Sequence, residues 1–351
     1  MNDLISEKIS YLDMLMYELC DVNGVSGRED LVRYYIIDRL PKGTSYRIDA
    51  MGNLIVSKKG KKTPKNKLMI CAHMDEVGFI ITYITEEGYL KFDTLGGIDP
   101  AVIIGKTVTL ESGAVGVIGL KHIHLSTGDD RNKLPPVTKL CIDIGAHSKA
   151  EAEQYASLGD YAVFNSDQEC YGTDGNFIKA KALDDRVGCA LMIDLINKAL
   201  PYDVEFAFTV QEEVGARGAL AATYGINPDY AIVLETTTAG DICGVTGEKR
   251  ACILGNGPVI SYMDRGTVYD HDLYQKMMKA AKDKGVPAQT KTLIAGGNDS
   301  SSVQRTGNGV KTLAVSVPCR YLHSPSCVIN KRDVAATQKL LEVFLEEVLD
   351  G

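Results

Sequence analysis

Short polar segments stand at the ends of several apolar runs in this chain, and they hold histidines and a surplus of carboxylates. The side chains able to bind a metal are His73, Asp75, Glu212, Glu213, Glu235 and His323. Asp184 and Asp185 add two acids at a predicted helix start. Imidazole and carboxylate ligands suit zinc or cobalt, and an excess of carboxylates allows one of them to bridge two ions. The residue types are therefore consistent with a dinuclear metal site.

Two pairs within this set suggest a division of labour. Asp75 stands two residues after His73, and on an extended segment it can reach the second ring nitrogen of that histidine and fix its tautomer. Glu212 and Glu213 are adjacent, so on an extended chain their side chains point to different sides. One of the two glutamates could then bind metal while the other accepts a proton.

Each residue also has a simpler interpretation. A histidine at a strand end is more often a hydrogen-bonded residue than a ligand, and paired glutamates are usually solvated. Asp185 and Arg186 could form an ion pair at a helix start, and Arg320 could be structural. The joint occurrence of these residues at one predicted sheet edge favours the functional interpretation.

The spacing of apolar residues predicts an α/β protein that would bring these side chains to that edge. Two helices joined by a turn are expected in the first 40 residues, followed by a hairpin within 46–57. Beyond residue 173, strand and helix signals alternate, which is typical of a largely parallel sheet covered by helices. Such sheets bind ligands at the carboxyl ends of their strands. The predicted helices cover 187–200, 216–224, 270–284 and 331–349, and the predicted strands cover 67–72, 204–210, 230–234 and 312–317.

A different character between residues 77 and 173 predicts an inserted β domain. Short strand-like pieces separated by glycines and turn residues fill this range, at 78–85, 106–110, 114–120 and 140–143. The predicted organisation is a first part of the catalytic domain at 1–76, the insert at 77–173 and a second catalytic part at 174–351.

Composition narrows the class of protein. An apolar share of 45% and a charged share of 24% are typical of a globular protein with a large core. The net charge of −8 argues against a nucleic-acid binder, which needs clustered Lys and Arg. The 9 cysteines are scattered without a C-x-x-C pair, which favours a reducing compartment. With no signal core and no long apolar run, we expect a cytoplasmic protein that does not enter a membrane.

Four segments of the chain resemble motifs of the tetrahedral, or glutamyl, aminopeptidases, a family of dinuclear zinc metallopeptidases. The segments at 72–79, 182–188, 211–215 and 320–325 read AHMDEVGF, ALDDRVG, QEEVG and RYLHSP. Their order and spacing match the family over nearly the whole chain. The resemblance implies a phosphorylase/hydrolase-like α/β catalytic domain with a mixed, largely parallel sheet. It also implies a small β-barrel-like insert used for dimerisation, and assembly of the dimers into a hollow dodecamer.

The resemblance also implies roles for individual residues. His73 and Glu235 would bind one ion, Glu213 and His323 the other, and Asp184 would bridge the two. Glu212 would be the general base, assisted by Asp75 as the partner of His73. A substrate-binding role is expected for Asn298, Asp299 and Arg320.

Two positions depart from the family pattern. Glu235 stands where the family usually has Asp, and its extra methylene could alter the spacing or affinity of the metals. Asn298 stands where Thr is common, in a loop expected to border the substrate, which leaves side-chain selectivity open. His122 and His124 resemble a family pattern of the insert and are interpreted as structural or pocket-lining rather than as metal ligands.

The predicted reaction is removal of residues from peptides that have a free N-terminus. Two divalent ions per subunit, zinc foremost with cobalt or manganese as substitutes, would share a water whose proton Glu212 accepts. Alternatives are a metal-dependent deacylase or carboxypeptidase on the same core, an inactive oligomeric scaffold, and a glycoside hydrolase. The last needs paired carboxylates, but the chain has no Trp on which a sugar could stack.

Overall fold

Strands and helices alternate along most of the chain in the computed structural model, which describes residues 10–121, 124 and 134–347. The strands are β1 (Ser45–Ile48), β2 (Leu54–Lys58), β3 (Leu68–His73), β4 (Gly78–Ile84), β5 (Leu90–Leu95), β6 (Thr107–Leu110), β7 (Val115–Gly119), β8 (Cys141–Asp143), β9 (Tyr161–Phe164), β10 (Glu169–Tyr171), β11 (Phe177–Ala180), β12 (Val204–Thr209), β13 (Tyr230–Thr238), β14 (Val259–Ile260), β15 (Gln289–Thr290), β16 (Lys311–Cys319) and β17 (Cys327–Asn330). The helices are α1 (Tyr11–Asp21), α2 (Asp30–Asp38), α3 (Lys149–Ala152), α4 (Leu183–Ile196), α5 (Arg217–Ile226), α6 (His271–Asp283), α7 (Ser300–Gln304) and α8 (Lys331–Glu347).

A mixed eight-stranded sheet forms the centre of the larger part of the fold. Its spatial order is β1-β2-β12-β3-β13-β16-β14-β15. The four middle strands, from β12 to β16, are mutually parallel, whereas β2 pairs antiparallel with both β1 and β12 and β14 pairs antiparallel with β16. Every residue of β3 is buried, as expected for an apolar strand covered on both faces. The prediction of a mixed, largely parallel sheet is confirmed.

Helices cover both faces of this sheet. One face packs against α4, which contacts β3, β13 and α1, and the other against α5. Local capping explains where two of the helices begin: Ser10 accepts a hydrogen bond from Asp13 N–H at 3.0 Å, and Asp270 accepts one from Leu273 N–H at 2.9 Å. No helix in the described ranges is long and apolar enough to cross a membrane.

A closed six-stranded antiparallel barrel forms the second unit, in the order β4-β5-β8-β7-β6-β9. Its core contains Phe79, whose ring meets those of Phe92 and Phe164 edge-on at 5.1 and 5.2 Å. All six strands lie within the predicted insert at 77–173, so the barrel-like architecture is confirmed. β10 also falls in that range but pairs with β11, next to β17. The domain boundaries themselves stay a prediction.

The start of α4 determines where two of the candidate acids stand. Asp184 and Asp185 have φ/ψ values of −86/106° and −120/44°, so regular helical backbone begins only at Arg186. The Arg186 side chain is fully buried and donates to the main-chain oxygens of Met74 at 2.9 Å and Val22 at 2.7 Å. Its carboxylate partner is Glu76 at 3.4 Å, not the adjacent Asp185. Arg186 therefore ties α4 to the chain around β3 and leaves Asp185 free of that pairing.

Candidate metal centre

Five predicted ligands converge where the parallel strands end. His73 is the last residue of β3, Glu235 lies in β13, and Asp184 precedes the helical part of α4. Glu213 follows β12 and His323 follows β16, both in loops. Because the strands run parallel, their carboxyl ends meet at one edge, where the sheet brings His73 and Glu235 together and the following loops and helix start add the other three.

The carboxylate of Asp184 lies between the two histidines. Its Oδ1 is 3.5 Å from Nε2 of His73, and its Oδ2 is 3.5 Å from Nε2 of His323. Glu235 Oε2 is 3.8 Å from the same nitrogen of His73, and Glu213 Oε2 is 3.3 Å from that of His323. Two ligand atoms on one tetrahedral zinc, each at ~2.1 Å, stand about 3.4 Å apart. These separations therefore match two ligand groups that share Asp184.

Several oxygens in this cluster are buried without a hydrogen-bond partner. They include Oδ1 of Asp184, Oε1 of Glu235 and Oδ2 of Asp185. Burial raises the pKa of Glu235 well above its usual value, and burial with the neighbouring Asp184 charge raises that of Glu213 to about 8. Buried carboxylates without partners are costly, and divalent cations satisfy them. The donor set therefore fits metal ions.

Distance alone allows more than one grouping of the ligands. Donor atoms of His73, Asp184 and Glu213 lie within 4.8 Å of one another, as do those of Asp184, Asp185 and Glu235. We give more weight to the histidine contacts, because each imidazole directs one nitrogen at a different oxygen of Asp184. The sequence predicts Asp185 beside this edge, and the structure places it within 4.8 Å of the ligand atoms of Asp184 and Glu235.

Main-chain carbonyls orient both imidazoles. Nδ1 of His73 is 2.9 Å from the main-chain oxygen of Asp75 and 3.4 Å from its carboxylate. Nδ1 of His323 is 2.8 Å from the main-chain oxygen of Gly97, in the segment that follows β5 of the barrel. Donation from Nδ1 leaves Nε2 of each ring as the nitrogen available to a metal ion. For His73, the nearer acceptor is thus the carbonyl of Asp75 rather than its side chain.

The carboxylate of Asp75 holds the loop that carries the two glutamates. It accepts hydrogen bonds from the main-chain N–H groups of Glu212 at 3.0 Å and Glu213 at 3.1 Å, and from the hydroxyl of Ser26 at 2.6 Å. The expectation that the two glutamates lie on an extended chain is wrong. Gln211 has a φ of 57°, and in the turn that follows the main-chain oxygen of Glu212 accepts from Gly215 N–H at 2.8 Å. The contribution of Ser26 could not be foreseen, because it lies 49 residues away in the chain.

A cavity of about 380 Å³ opens beside the ligand cluster. Glu212 lines it together with Asp184, Glu213, Glu235 and His323. Burial raises the pKa of Glu212 well above its usual value, and the charges of Asp299 and Glu213 add to this rise. A larger cavity of about 730 Å³ lies at the amino ends of β13 and β16 and contains none of these residues. The smaller cavity is therefore the candidate substrate site.

The predicted substrate-binding residues are placed differently from one another. Asn298 lines the cavity and donates to the hydroxyl of Tyr269 at 3.3 Å. Asp299 is 1% exposed and accepts from the Thr209 hydroxyl at 2.6 Å, outside the cavity lining. Arg320 also lies outside the lining and pairs with Asp241 at 2.5 Å. Of the three, only Asn298 lines the cavity. The ion pair of Arg320 with Asp241 is consistent with a structural role for this arginine.

Two histidines of the insert, His122 and His124, are predicted to be structural or pocket-lining. His124 is exposed. His122 lies outside the described residues.

One known family has a model that matches most of this chain. A family model described as M42 glutamyl aminopeptidase matches residues 52–340. The chain belongs to the M42 glutamyl aminopeptidase family. This M42 chain is a peptide-bond hydrolase. The M42 family is metal-dependent.

Individual proteins are similar to this M42 chain over nearly its full length. A putative aminopeptidase from Acetivibrio thermocellus is 36% identical over 330 residues, covering 93% of this chain and 96% of the relative. The TET1 peptidase of Pyrococcus horikoshii, described as able to assemble into a tetrahedron or a large octahedral shell, has a TM-score of 0.83 and 35% identity, with 96% and 100% coverage. A structure named endoglucanase from Thermotoga maritima has a TM-score of 0.77 and 36% identity, with 95% and 96% coverage.

We expect Asp75→Asn in this M42 chain to lower kcat by about 10- to 100-fold, the usual cost of losing a partner that orients the ligands. An amide has only one acceptor oxygen. Asp75 uses both of its carboxylate oxygens, one to accept from the N–H group of Glu212 and the other from that of Glu213. Steady-state kinetics with metal analysis would measure this. Ser26→Ala removes only the 2.6 Å hydroxyl contact and should have a smaller effect. A wild-type kcat in Asp75→Asn would contradict the positioning role.

Proposed function

We propose that the protein is an aminopeptidase that binds two divalent metal ions and removes residues from the free N-termini of peptides. The observation that carries this proposal is the position of Asp184, whose two oxygens each lie 3.5 Å from a different histidine nitrogen. A carboxylate placed in this way can bridge two ions. Membership of the M42 family supports peptides as the substrate class.

The distances support one assignment of ligands to the two ions. His73 and Glu235 would hold one ion, Glu213 and His323 would hold the other, and Asp184 would contribute to both. The additional methylene of Glu235, where the family usually has Asp, still brings its Oε2 to 3.8 Å from His73 Nε2. Nitrogen and oxygen donors of this kind suit zinc, and cobalt or manganese can occupy the same ligands.

When bound, the two ions polarise the scissile carbonyl and lower the pKa of the attacking water. Glu212 takes the proton from that water and passes it to the leaving amine. Its place in the cavity lining gives it access to both groups, and the hydrogen bond from its N–H to Asp75 holds it beside the ligands. The carboxylates of the site bind the positively charged α-amino group, which confines cleavage to the N-terminal bond.

We also propose that the chain acts as a homo-oligomer built through its barrel. A solved structure similar to this chain, described as PhTET1-12s with a dodecamer in the asymmetric unit, supports a dodecamer. Exposed apolar side chains on the barrel strands, among them Tyr83, Val115 and Val117, offer surface for such contacts. Light scattering of the purified protein tests the subunit number, and a monomer would contradict the proposal.

Hydrolysis of a matched pair of peptides tests the proposed reaction. The two peptides share one sequence, and one of them carries an acetylated α-amino group. Metal-stripped protein reloaded with zinc should release the first residue only from the free peptide, because the acetylated nitrogen has no charge for the carboxylates to bind. Removal of the acetyl group would instead indicate a deacylase.

A soluble cellulose substrate provides the second arm of this experiment, since one similar structure is named an endoglucanase. We expect no new reducing ends from it. Their appearance, with no cleavage of either peptide, would favour a glycoside hydrolase over the aminopeptidase.

A further inference from the structure

Four consecutive main-chain N–H groups directly after β12 donate to side-chain oxygens from distant parts of the chain. These groups belong to residues 210–213, here called the base turn because it carries the proposed base. The four donor–acceptor pairs are Val210 with Asn53 Oδ1 at 3.0 Å, Gln211 with Glu29 Oε1 at 3.1 Å, Glu212 with Asp75 Oδ1 at 3.0 Å and Glu213 with Asp75 Oδ2 at 3.1 Å. A buried N–H group that leaves a strand needs another acceptor, and here three side chains supply the acceptors for all four.

The backbone of the base turn has a conformation that depends on these outside contacts. Gln211 has a φ of 57°, in the left-handed region that a residue with a side chain rarely adopts. The carbonyl groups are satisfied locally: that of Val210 accepts from Gly218 N–H at 3.0 Å, and that of Glu212 accepts from Ala216 N–H at 2.9 Å. An unfavourable backbone conformation persists only where the surrounding structure determines it. The acceptors of the N–H groups therefore determine the direction in which Glu212 leaves the turn.

Two of these acceptors lie in turns near the start of the chain that the proposed reaction does not otherwise use. Glu29 directly precedes α2, and Asn53 stands between the two strands of the β1–β2 hairpin. Their exposed fractions are only 4% and 0%. Glu29 Oε1 also accepts from Gly27 N–H at 2.7 Å, and Asn53 Nδ2 donates to the main-chain oxygen of Gly218 at 2.9 Å. Each side chain is thus held by further contacts while it holds the base turn.

Glu29 is a buried acid whose place needs a physical account. It lies outside the lining of the cavity beside the ligand cluster. Burial, with the nearby charge of Asp75, raises the pKa of Glu29 to about 7, whereas the hydrogen bonds from Gly27 and Gln211 act in the opposite direction. A buried polar group is costly unless hydrogen bonds satisfy it. The contacts that offset this cost are the ones that connect Glu29 to the base turn.

We infer that Glu29, together with Asn53, is a positioning residue that holds the base turn so that the Glu212 carboxylate faces the attacking water. The inference rests on the proposed aminopeptidase function and adds to it a group that acts through the base. Without the Glu29 oxygen, the N–H group of Gln211 would be left without its acceptor, which is costly for a buried donor. The base turn would then relax toward another conformation. A displacement of about 1 Å in a catalytic group can cost about 100-fold in rate.

Glu29→Met and Glu29→Gln test this role in the zinc-loaded enzyme, with a peptide that has a free α-amino group as substrate. Methionine fills the space of glutamate without an acceptor oxygen, whereas the amide oxygen of glutamine can still accept from Gly27 and Gln211. We expect Glu29→Met to lower kcat about 10- to 100-fold, and Glu29→Gln to keep most of the wild-type kcat. KM and zinc content should not change, because Asp75 still holds Glu213.

A double-mutant cycle with Glu212→Gln shows whether Glu29 acts through the base. If it does, Glu29→Met should remove little of the activity that remains in Glu212→Gln, because no base is left to position. An equal fold-loss of kcat in both backgrounds would overturn the inference. A loss of zinc that parallels the loss of kcat would overturn it too, because Glu29 would then act on a metal ligand.

Asp203→Ala is the matched control. Asp203 also accepts from a main-chain N–H group, that of Gly60 at 2.9 Å, but it precedes β12 and so lies at the opposite end of this strand from the base turn. The control should keep the wild-type kcat. Thermal melts would show which variants fold, and Glu29→Ala replaces Glu29→Met if methionine does not fit. A wild-type kcat in the folded variant without the acceptor would overturn the positioning role while the aminopeptidase stands. No hydrolysis by zinc-loaded wild-type protein would overturn both.

Discussion

Glu212→Gln is expected to lower peptide hydrolysis by about 10²- to 10⁴-fold, the range that a general base contributes, while the protein retains its metals. Glutamine has the size of glutamate but cannot accept the proton of the attacking water. In the structure, the Glu212 main chain is held by Asp75 at 3.0 Å, and that contact does not involve the substituted side chain. Turnover and bound metal, measured on the same preparation, separate the loss of a base from the loss of a ligand.

A substitution of the neighbouring Glu213 provides a comparison for this experiment. Glu213→Gln alters the residue 3.3 Å from His323 Nε2, so it should lower both metal content and turnover. Glu87→Gln, an exposed position on the barrel, is the neutral control. A Glu212→Gln protein with full metal and full activity would refute the base assignment, and one that loses metal would make Glu212 a ligand.

Asp184→Asn is expected to remove both ions, whereas His323→Ala should remove only one. Among the residues that the structure describes, Asp184 is the one acid whose two oxygens face both histidines, so its loss affects both ligand groups. Loss of a partner that orients a ligand already costs about 10- to 100-fold in metal affinity, and loss of a direct ligand should cost more than about 100-fold. Metal stoichiometry after dialysis, measured by elemental analysis, distinguishes the two variants.

Asp185→Asn is the control that tests the alternative grouping of ligands. Its donor atom lies within 4.8 Å of those of Asp184 and Glu235. If Asp185→Asn retains two ions, the histidine-based assignment stands. Equal loss of both ions in His323→Ala and Asp184→Asn would instead indicate that the two ions bind only together, which contradicts separate ligand groups.

The regular parts of the fold were predictable because apolar periodicity determines them. The buried run of β3 and the alternation of strands and helices after residue 173 lead directly to the parallel sheet. Very short strands contain too few residues to show an apolar period. β14 and β15 have two residues each, and they are strands only because they pair with neighbouring strands. Lys291, which lines the cavity, follows β15, so no sequence pattern marks its position.

The site was predictable to the extent that it depends on residue types at strand ends. His73 and Glu235 belong to strands, so the parallel order of the sheet brings them together. Contacts that depend on loop geometry were not foreseen. Ser26 reaches Asp75 across 49 residues, and Arg320 turns to Asp241 rather than to the cavity. Spacing along the chain contains no information about such contacts.

The barrel also reaches the metal centre, since the main-chain oxygen of Gly97 accepts from His323 and a side chain at Gly96 would meet Glu213 Cβ at 3.2 Å. Gly96 has a φ of 91°, so the chain passes this point in a conformation that favours glycine. An engineer who deleted the barrel, or exchanged it for another to change the assembly, would therefore also remove the contact that orients one of the imidazoles proposed to bind metal. The barrel proposed for assembly and the candidate metal centre therefore meet at two consecutive glycines, Gly96 and Gly97.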